Sequence, residues 1–312
     1  MGVILKDINV DRLIQEVEDL ISSSQYINIK GLYNCQKGAL QRVFERYSSE
    51  GYVSGIIQMP TGTGKTVLAA SIILALWKYY SIIGKKRLLA VFLAPRIVIK
   101  RQAYEKFKNI LFYGSRKTIS VIEVKGSKDL CDELSEYFDQ NRINRIKTMK
   151  QNLVELLERF PSLKKIYPRY SRQNNLFNKD YTEGLVIIAT PQLIHRLLNG
   201  NRDECIATLI SNIDILIMDE IHTFYTGDEI IKTINRLVRS RTRRISIIIG
   251  LTATPVREVC ALLGGLIYHK FSSDAMREGI LTPSLKIIKY RTIITNLRPI
   301  YTDDKTSPSW NE

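Results

Sequence analysis

Apolar residues occur along the chain in two alternating patterns, short unbroken runs and longer segments with helical spacing. The unbroken runs predict strands that are buried on both faces. Six such strands are predicted, at 55–59, 88–94, 119–124, 185–189, 214–218 and 245–251. Strands that alternate with helices form a parallel sheet covered on both faces, so the pattern predicts an α/β domain.

The first 28 residues predict a separate element, an amphipathic helix packed on the domain that follows. Apolar side chains recur there at helical spacing, at Val10, Leu13, Ile14, Val17, Leu20 and Ile21. We expect this N-terminal helix to have a structural role only.

Residues 127–183 interrupt the alternation and are too long for an ordinary connection, so we interpret them as an insertion. Helical patterns lie at 130–138 and 146–160. Between 141 and 180, ten Lys or Arg stand against three Asp or Glu, a net charge of +7. The aromatic residues among them are Phe160, Tyr167, Tyr170 and Phe177. This mixture predicts either an arm that binds single-stranded nucleic acid or a helical hairpin with inward rings and solvated charges.

The 312 residues carry a formal net charge of +15. This balance favours a polyanionic partner such as nucleic acid, although a solvated basic surface would give the same charge. The chain has no run of 18 apolar residues and no signal-peptide layout, so we expect no membrane partner. Four cysteines without a CxxC pair predict neither a zinc site nor a disulfide framework. A cytoplasmic or other intracellular location fits best, in the host cell if a virus or plasmid encodes the chain.

Residues Met59–Thr66 read MPTGTGKT between a predicted strand and a predicted helix. This is the order of a phosphate-binding loop, in which backbone N–H groups and a helix N-terminus surround phosphates. Gly62 and Gly64 allow close approach, Lys65 would neutralise the phosphates, and Thr66 would hold Mg²⁺. Thr61 and Thr63 complete the loop. The strict pattern has Gly where this chain has Met59.

Asp219 and Glu220 follow directly after the strand at 214–218. In a parallel sheet that strand would end at the edge facing the phosphate loop. Asp219 would then coordinate Mg²⁺, and Glu220 would orient and deprotonate the attacking water. Alone, such a pair is typical of a helix N-terminus, but the upstream phosphate loop favours the catalytic interpretation.

The segment 251–255 reads LTATP and follows the last predicted strand. The hydroxyls of Thr252 and Thr254 would link the carboxylates to the other side of the cleft. An ordinary strand-to-helix turn, with Thr254 as the cap and Pro255 at the first helical position, is the alternative.

Five segments in order resemble motifs I, Ia, Ib, II and III of superfamily 2 helicases and translocases. They are MPTGTGKT, FLAPR (92–96), ATPQLI (189–194), DEIH (219–222) and LTATP. The resemblance is strongest to the DExH (DEAH-box) branch with XPB-like helicases and restriction-enzyme motor subunits, and it covers about 29–285. It implies a RecA-like, P-loop NTPase fold that binds ATP and Mg²⁺ and hydrolyses ATP on nucleic acid, with DNA favoured over RNA.

The resemblance also implies roles that spacing alone does not assign. Gln36, within LYNCQ, would contact adenine, although Tyr33 and Cys35 stand where the family usually has Arg and Tyr. His222 would act with Thr252 and Thr254 in coupling. Contacts to the nucleic-acid backbone would come from Pro95, Arg96, Thr190 and Pro191. Additional positive charge would come from Lys100 and Arg101, whereas the arginines between 236 and 244 are interpreted as solvated.

By the same resemblance the first motor domain spans 29–270, and 271–312 is a linker with the truncated start of a second domain. The second domain would supply arginines that reach the γ-phosphate, so we expect weak hydrolysis unless a protein partner provides it. The alternative is a nucleotide-gated nucleic-acid-binding module or split-helicase subunit with little ATPase activity of its own.

Overall fold

The computed structural model describes residues 9–22, 29, 31–115, 117–138, 182–198, 209–226, 232, 235 and 245–282. Contacts divide the chain into two units, Met1–Leu281 and Thr282–Glu312. The description below concerns the first unit. This unit includes residues 271–281, and the predicted division at 270/271 stays a prediction.

The helices are α1 (Val10–Ser22), α2 (Asn34–Glu50), α3 (Lys65–Ile82), α4 (Ile97–Phe107), α5 (Ser127–Phe138), α6 (Pro191–Leu198), α7 (Arg257–Leu263) and α8 (Ser272–Arg277). The strands are β1 (Val53–Gln58), β2 (Arg87–Leu93), β3 (Ile119–Glu123), β4 (Glu183–Ala189), β5 (Ile215–Met218), β6 (Ile247–Thr252) and β7 (Leu266–His269). A π-helical turn (Lys108–Phe112) continues α4, and a 3₁₀ turn (Ile221–Thr226) follows β5.

The seven strands form one parallel sheet in the order β3-β4-β2-β5-β6-β1-β7. The predicted RecA-like α/β fold is confirmed, and each of the six predicted strands is present. The edge strand β7 was not predicted. It has four residues, and none of them is fully buried, so it lacks the apolar run of an internal strand.

Two apolar cores lie on opposite faces of the sheet, because successive side chains of a strand point to opposite sides. In β2, Leu88, Ala90 and Phe92 join the core under α1 to α4. The intervening Leu89, Val91 and Leu93 join the core under α5 to α7. Helix α3 is buried nearly all round because it lies between the sheet and the neighbouring helices α1, α2 and α4.

The N-terminal helix is present as α1 and packs against α2 and α3. Its buried residues are Leu13, Ile14, Val17 and Ile21, on the predicted apolar face. This packing is consistent with the structural role expected for the segment.

Of the predicted insertion, the helical pattern at 130–138 is confirmed as part of α5. The pattern at 146–160 and the basic, aromatic stretch around it lie outside the described residues. Cys131 in α5 is disulfide-bonded, whereas Cys35 and Cys260 are free thiols. The sequence predicted no disulfide, because spacing along the chain does not show which cysteines meet in space. Among the described helices, none is both long and apolar enough to cross a membrane.

Candidate functional site

Three loops meet at the carboxyl-terminal edge of the sheet because their strands are neighbours. Strand β6 lies between β5 and β1. The loop after β1 therefore reaches the end of β6, where the N–H of Met59 donates to the carbonyl of Thr252 at 2.9 Å. The acidic pair follows β5 on the other side. The strand order thus brings the predicted motifs I, II and III together.

The phosphate loop has the backbone that its glycines predict. Gly62 (φ 88°) and Gly64 (φ 79°) both adopt left-handed conformations, which L side chains rarely adopt. The Thr63 hydroxyl donates to the carbonyl of Pro60 at 2.7 Å and is buried. Met59, which replaces the usual glycine, points its side chain into the core, so the substitution leaves the loop's backbone path intact.

Gln36 contacts this loop directly. Its amide nitrogen donates to the carbonyls of Thr63 (3.0 Å) and Gly64 (3.2 Å), and its amide oxygen accepts from the N–H of Tyr33 (2.9 Å). A Cβ at position 64 would lie 2.3 Å from that nitrogen and would displace the Gln36 amide, and the φ of 79° independently favours glycine there. The Gln36 side chain is therefore engaged within the protein, and its contact with adenine stays a prediction.

Lys65, the first residue of α3, is buried and faces the acidic pair. Its ammonium donates to the carbonyl of Met59 at 3.3 Å and lies 3.2 Å from Oε1 of Glu220. The side chain of Lys65 is only 7% exposed. The lysine and the glutamate predicted for catalysis thus form an ion pair within the site.

Asp219 is 5% exposed, and its Oδ1 accepts from the N–H of Glu220 at 3.0 Å. Burial and then the adjacent Glu220 carboxylate raise the pKa of Asp219 to about 6, against the opposing effect of Lys65. Glu220 has φ 45°, a left-handed conformation that costs a non-glycine residue on the order of 1 to 3 kcal/mol. Strained geometry and a raised carboxyl pKa are typical of functional sites.

The donors available for Mg²⁺ are the Asp219 carboxylate and the hydroxyl of Thr66, in the first turn of α3. Within the described residues, no group of three His, Cys, Asp or Glu side chains could hold a metal ion. Mg²⁺ prefers oxygen ligands and is commonly held by one or two protein oxygens together with water and phosphates. A buried carboxyl whose charged form is disfavoured would be stabilised by such a cation, so these residues fit the ion.

His222 connects the acidic loop to the end of β6. Its Nδ1 lies 2.9 Å from the hydroxyl of Thr252 and 3.5 Å from Oε2 of Glu220. The Thr252 hydroxyl donates to the carbonyl of Thr254 and accepts from its N–H. The Thr252 hydroxyl thus links the His222 ring to the backbone of Thr254, and the ring's tautomer sets which atom donates in the bond between His222 and Thr252. The three residues predicted to couple motifs II and III are hydrogen-bonded to one another.

The residues predicted to hold nucleic acid follow two other neighbouring strands, β2 and β4. The N–H of Ala94 donates to the carbonyl of Ala189 at 2.9 Å, so the segments with Pro95 and Thr190 continue side by side at the carboxyl-terminal edge. Arg96 is exposed, whereas Pro191 is buried. The Thr190 hydroxyl accepts from the N–H of Leu193 at the start of α6. Their contacts with nucleic acid stay a prediction.

Lys100 does not extend this surface. Its ammonium is buried, donates to the carbonyl of Val124 at 2.9 Å and pairs with Glu123 at 3.2 Å. The expectation that Lys100 adds charge for nucleic acid is therefore wrong, because the helix turns this side chain towards β3. Arg101 is exposed. The arginines between 236 and 244 lie outside the described residues.

The family model for the type III restriction enzyme res subunit matches residues 29–257. This match covers more than half of the chain. The chain belongs to this family. Its superfamily 2 helicase motor domain accounts for the five ordered motifs. No curated protein matches the chain in sequence.

Two solved structures share the fold. The DEAD-box protein Mss116p, bound to single-stranded RNA and AMP-PNP, has a TM-score of 0.51 at 17% identity, over 86% of this chain and 45% of that one. The ATP-dependent Type ISP restriction-modification enzyme LlaBIII, bound to DNA, has a TM-score of 0.52 at 16% identity, over 81% of this chain and 16% of that one. The chain therefore spans less than half the length of either protein.

Sequence reasoning missed two features of the site region. One is the support that Gln36 gives to the phosphate loop, which its position in the adenine-recognition segment did not reveal. The other is the exposed apolar pair beside Arg96, where Ile97 is 72% and Val98 is 68% exposed. Both residues start an otherwise ordinary helix, so the hydrophobic pattern gave no signal that they face solvent.

Proposed function

We propose that the chain is the ATP-binding first motor domain of a nucleic-acid-dependent helicase or translocase, which hydrolyses ATP when nucleic acid is bound. The supporting observation is the convergence of Lys65, Asp219 and Glu220 at one sheet edge, where His222 lies 3.5 Å from Glu220 and is hydrogen-bonded to Thr252. Membership of the res-subunit family supports the same reaction class.

In this proposal the phosphate loop binds the triphosphate through its N–H groups and Lys65. Thr66 and Asp219 would hold a magnesium ion, which would supply positive charge to offset that of the phosphate oxygens. Glu220 orients the attacking water and accepts its proton. Tyr33, half exposed beside Gln36, offers a ring on which the adenine would stack.

The ion pair between Lys65 and Glu220 sets an order of events. Glu220 accepts a water's proton best when its carboxylate is released from the ammonium. A triphosphate competes for Lys65 with several anionic oxygens, so its binding would free Glu220 at the moment the substrate arrives. The base is thus withheld while the site contains no phosphate.

The candidate nucleic-acid surface lies on the same edge as the nucleotide site, one strand away. Arg96 supplies an exposed cation, and Ile97 and Val98 supply apolar area suited to sugars or base faces. Strands β2 and β5 are neighbours, so a movement of the segment after β2 can displace the acidic loop after β5. This arrangement supports coupling of nucleic-acid binding to ATP hydrolysis.

The ion pair also favours a second candidate, a nucleotide-gated binding module with little ATPase activity. In that case Glu220 stays with Lys65, and hydrolysis depends on arginines that a second motor domain presents to the γ-phosphate. An arginine of this kind is worth roughly 10³- to 10⁵-fold in turnover. We therefore expect a protein partner that carries a second motor domain to accelerate ATP hydrolysis.

The deciding experiment is ATP turnover with no nucleic acid, with single- and double-stranded DNA, and with the matching RNAs. We expect slow turnover that nucleic acid stimulates, and more so DNA than RNA. If every nucleic acid binds but none stimulates ATP turnover, the result would favour the nucleotide-gated binding module. Binding of neither ATP nor any polymer would reject both candidates.

A chain lacking residues 141–180 tests the insertion. Its affinity for nucleic acid should fall if the insertion is a binding arm and should stay the same if the insertion is a solvated hairpin.

A further inference from the structure

A cavity of about 250 Å³ lies at the amino-terminal edge of the sheet, opposite the candidate nucleotide site. Its walls include three consecutive cationic residues, Lys85, Lys86 and Arg87, and two aromatic ones, Tyr137 and Phe138. Arg87 begins β2, whereas Arg96 follows the end of that strand. Seven residues of strand separate the two edges by about 20 Å. This cavity is therefore distinct from the nucleotide site.

Arg87 is held in place by ring contacts. Its guanidinium carbon lies 5.8 Å from the ring centre of Tyr137 and 5.3 Å from that of Phe138. Tyr137 is itself fixed, because its hydroxyl contacts the carbonyls of Leu88 and Glu183 at 3.0 and 2.9 Å. Stacking leaves the in-plane N–H groups of a guanidinium available for an anion, which arginine binds in a forked geometry.

One nitrogen of Arg87, Nη2, is buried and has no hydrogen-bond partner among the residues that the structure describes. Its N–H groups therefore need an acceptor. The carboxylate in the cavity wall, Asp214, is engaged by Lys85 at 2.7 Å, by the Tyr80 hydroxyl at 3.1 Å and by the N–H of Leu89 at 3.0 Å. These bonds account for Asp214, so the acceptor for Arg87 has to come from elsewhere.

The strongly basic segment of the chain leaves and rejoins the described structure beside this cavity. Phe138, the last residue of α5, lines it. Thr182, just before β4, donates from its hydroxyl to the carbonyl of Lys85. The intervening sequence contains the ten Lys or Arg against three Asp or Glu between 141 and 180. The described residues that flank the basic segment, Phe138 and Thr182, thus line the cavity or contact a residue of its wall.

We propose that this cavity binds a phosphate group of a nucleic-acid strand, with Arg87 as the forked donor and Lys86 adding charge. The cavity volume of about 250 Å³ is several times the roughly 30 Å³ that a water molecule occupies in the liquid. The cavity therefore has room for a phosphate group and part of its sugar. The inference rests on the proposed function in taking nucleic acid as the partner. It adds a second contact point, about 20 Å from the carboxyl-terminal edge.

The test compares Arg87→Gln with Arg42→Gln, which removes the same charge from an exposed position in α2. The measurement is fluorescence anisotropy of labelled single-stranded DNA and RNA over a range of salt concentrations, with ATP binding as a second readout. For Arg87→Gln we expect about 3- to 10-fold weaker polymer binding at low salt and a salt slope shallower by about 0.7, the value for one phosphate on a single strand. ATP affinity should stay unchanged, and Arg42→Gln should resemble the intact chain.

A photo-crosslinking residue in place of the exposed Lys86 gives a readout that holds even if Arg87→Gln folds poorly. We expect cross-links to the labelled strand that unlabelled oligonucleotide removes and a mononucleotide or inorganic phosphate at equal phosphate concentration does not. Competition by the small anions alone would assign the cavity to a free phosphate instead. The same photo-crosslinking residue at position 42 is the control. The inference would be overturned, with the proposed function left standing, if folded Arg87→Gln kept the salt slope of the intact chain or if cross-links from position 86 were no stronger than those from position 42. Failure of the intact chain to bind any polymer would overturn both.

Discussion

Two buried aspartates lie at opposite ends of the same four-residue strand, β5, and their surroundings differ sharply. Asp214, before the strand, receives hydrogen bonds from an ammonium, a hydroxyl and a backbone N–H. Asp219, after it, accepts one from Glu220 within the described structure and lies beside a second carboxylate. Both carboxyl oxygens of Asp214 therefore have donors, whereas Asp219 is held in a site that disfavours its charged form.

The comparison distinguishes a structural carboxylate from a functional one by its partners rather than by its burial. A buried charge with enough donors fixes local structure, here the join of β2, β5 and α3. A buried carboxyl with too few donors has a raised pKa and a tendency to bind a cation. The amino-terminal edge thus maintains the fold around β5, and the carboxyl-terminal edge is arranged for chemistry.

The largest expected effect is on ATP turnover, at the carboxyl-terminal edge of the sheet. Glu220→Gln keeps the shape of the side chain but removes the base, so ATP hydrolysis should fall by about 10²- to 10⁴-fold. ATP binding should persist or tighten, because Lys65 no longer pairs with a carboxylate. Equal losses in titration calorimetry and in phosphate release would show that Glu220 is structural.

At the other end of β5 the effect should be on stability. Asp214→Asn leaves Lys85 and Tyr80 without their anionic partner and should lower the free energy of unfolding by about 2 to 4 kcal/mol. Tyr80→Phe removes one donor and should cost about 1 kcal/mol. Urea unfolding measures both. Turnover per folded molecule should be unchanged, and a selective loss of turnover would break the comparison.

Lys65→Ala should weaken ATP·Mg²⁺ binding by about 2 to 3 kcal/mol, which is roughly 30- to 150-fold. The loop's N–H groups alone do not offset the charge of a triphosphate. Lys78→Ala is the matched control, since Lys78 lies in the same helix and pairs with Glu16 at 3.1 Å. Unchanged ATP affinity in the Lys65 variant would remove the phosphate-loop interpretation.

The smallest expected effect has the opposite sign. The pKa of Asp219 in the folded protein is about 6, above the ordinary 3.8. Between pH 3.8 and pH 6 folding therefore takes up a proton, and the contribution of Asp219 to the free energy of unfolding falls as the pH rises through this range. Asp219→Asn should therefore stabilise the nucleotide-free protein by about 1 to 3 kcal/mol at pH 8 and by less at pH 5. Urea unfolding at both pH values measures this. Destabilisation at pH 8 would show that the Asp219 charge is satisfied.

Magnesium binding to the same group should have a matching pH dependence. A cation needs the ionised carboxylate, so Mg²⁺-dependent ATP binding should weaken as pH falls below about 6. Mg²⁺-independent nucleotide binding is the control, because it does not use Asp219.

Much of the fold could be predicted because its signals are local. Apolar runs marked six strands, and periodic segments marked α1, α3 and part of α5. Strand β7 could not be predicted, since an exposed four-residue edge strand has neither a buried run nor an alternation. Lys100 was misinterpreted for a related reason, because a lysine in a helix pattern gives no sign of whether its ammonium finds a buried carbonyl.

For the site, the sequence by itself determined which residues end strands and start helices, and hence the identities of the phosphate loop, the acidic pair and the segment with Thr252. Only the tertiary structure decided that β6 lies between β5 and β1, which pairs Lys65 with Glu220 and His222 with Thr252. It also decided that Asp214 is a carboxylate with several hydrogen-bond donors and Asp219 one whose charged form is disfavoured by burial, although both flank β5. The physical reason is that a motif fixes local backbone geometry, whereas desolvation, ion pairing and the supply of donors depend on residues far away along the chain.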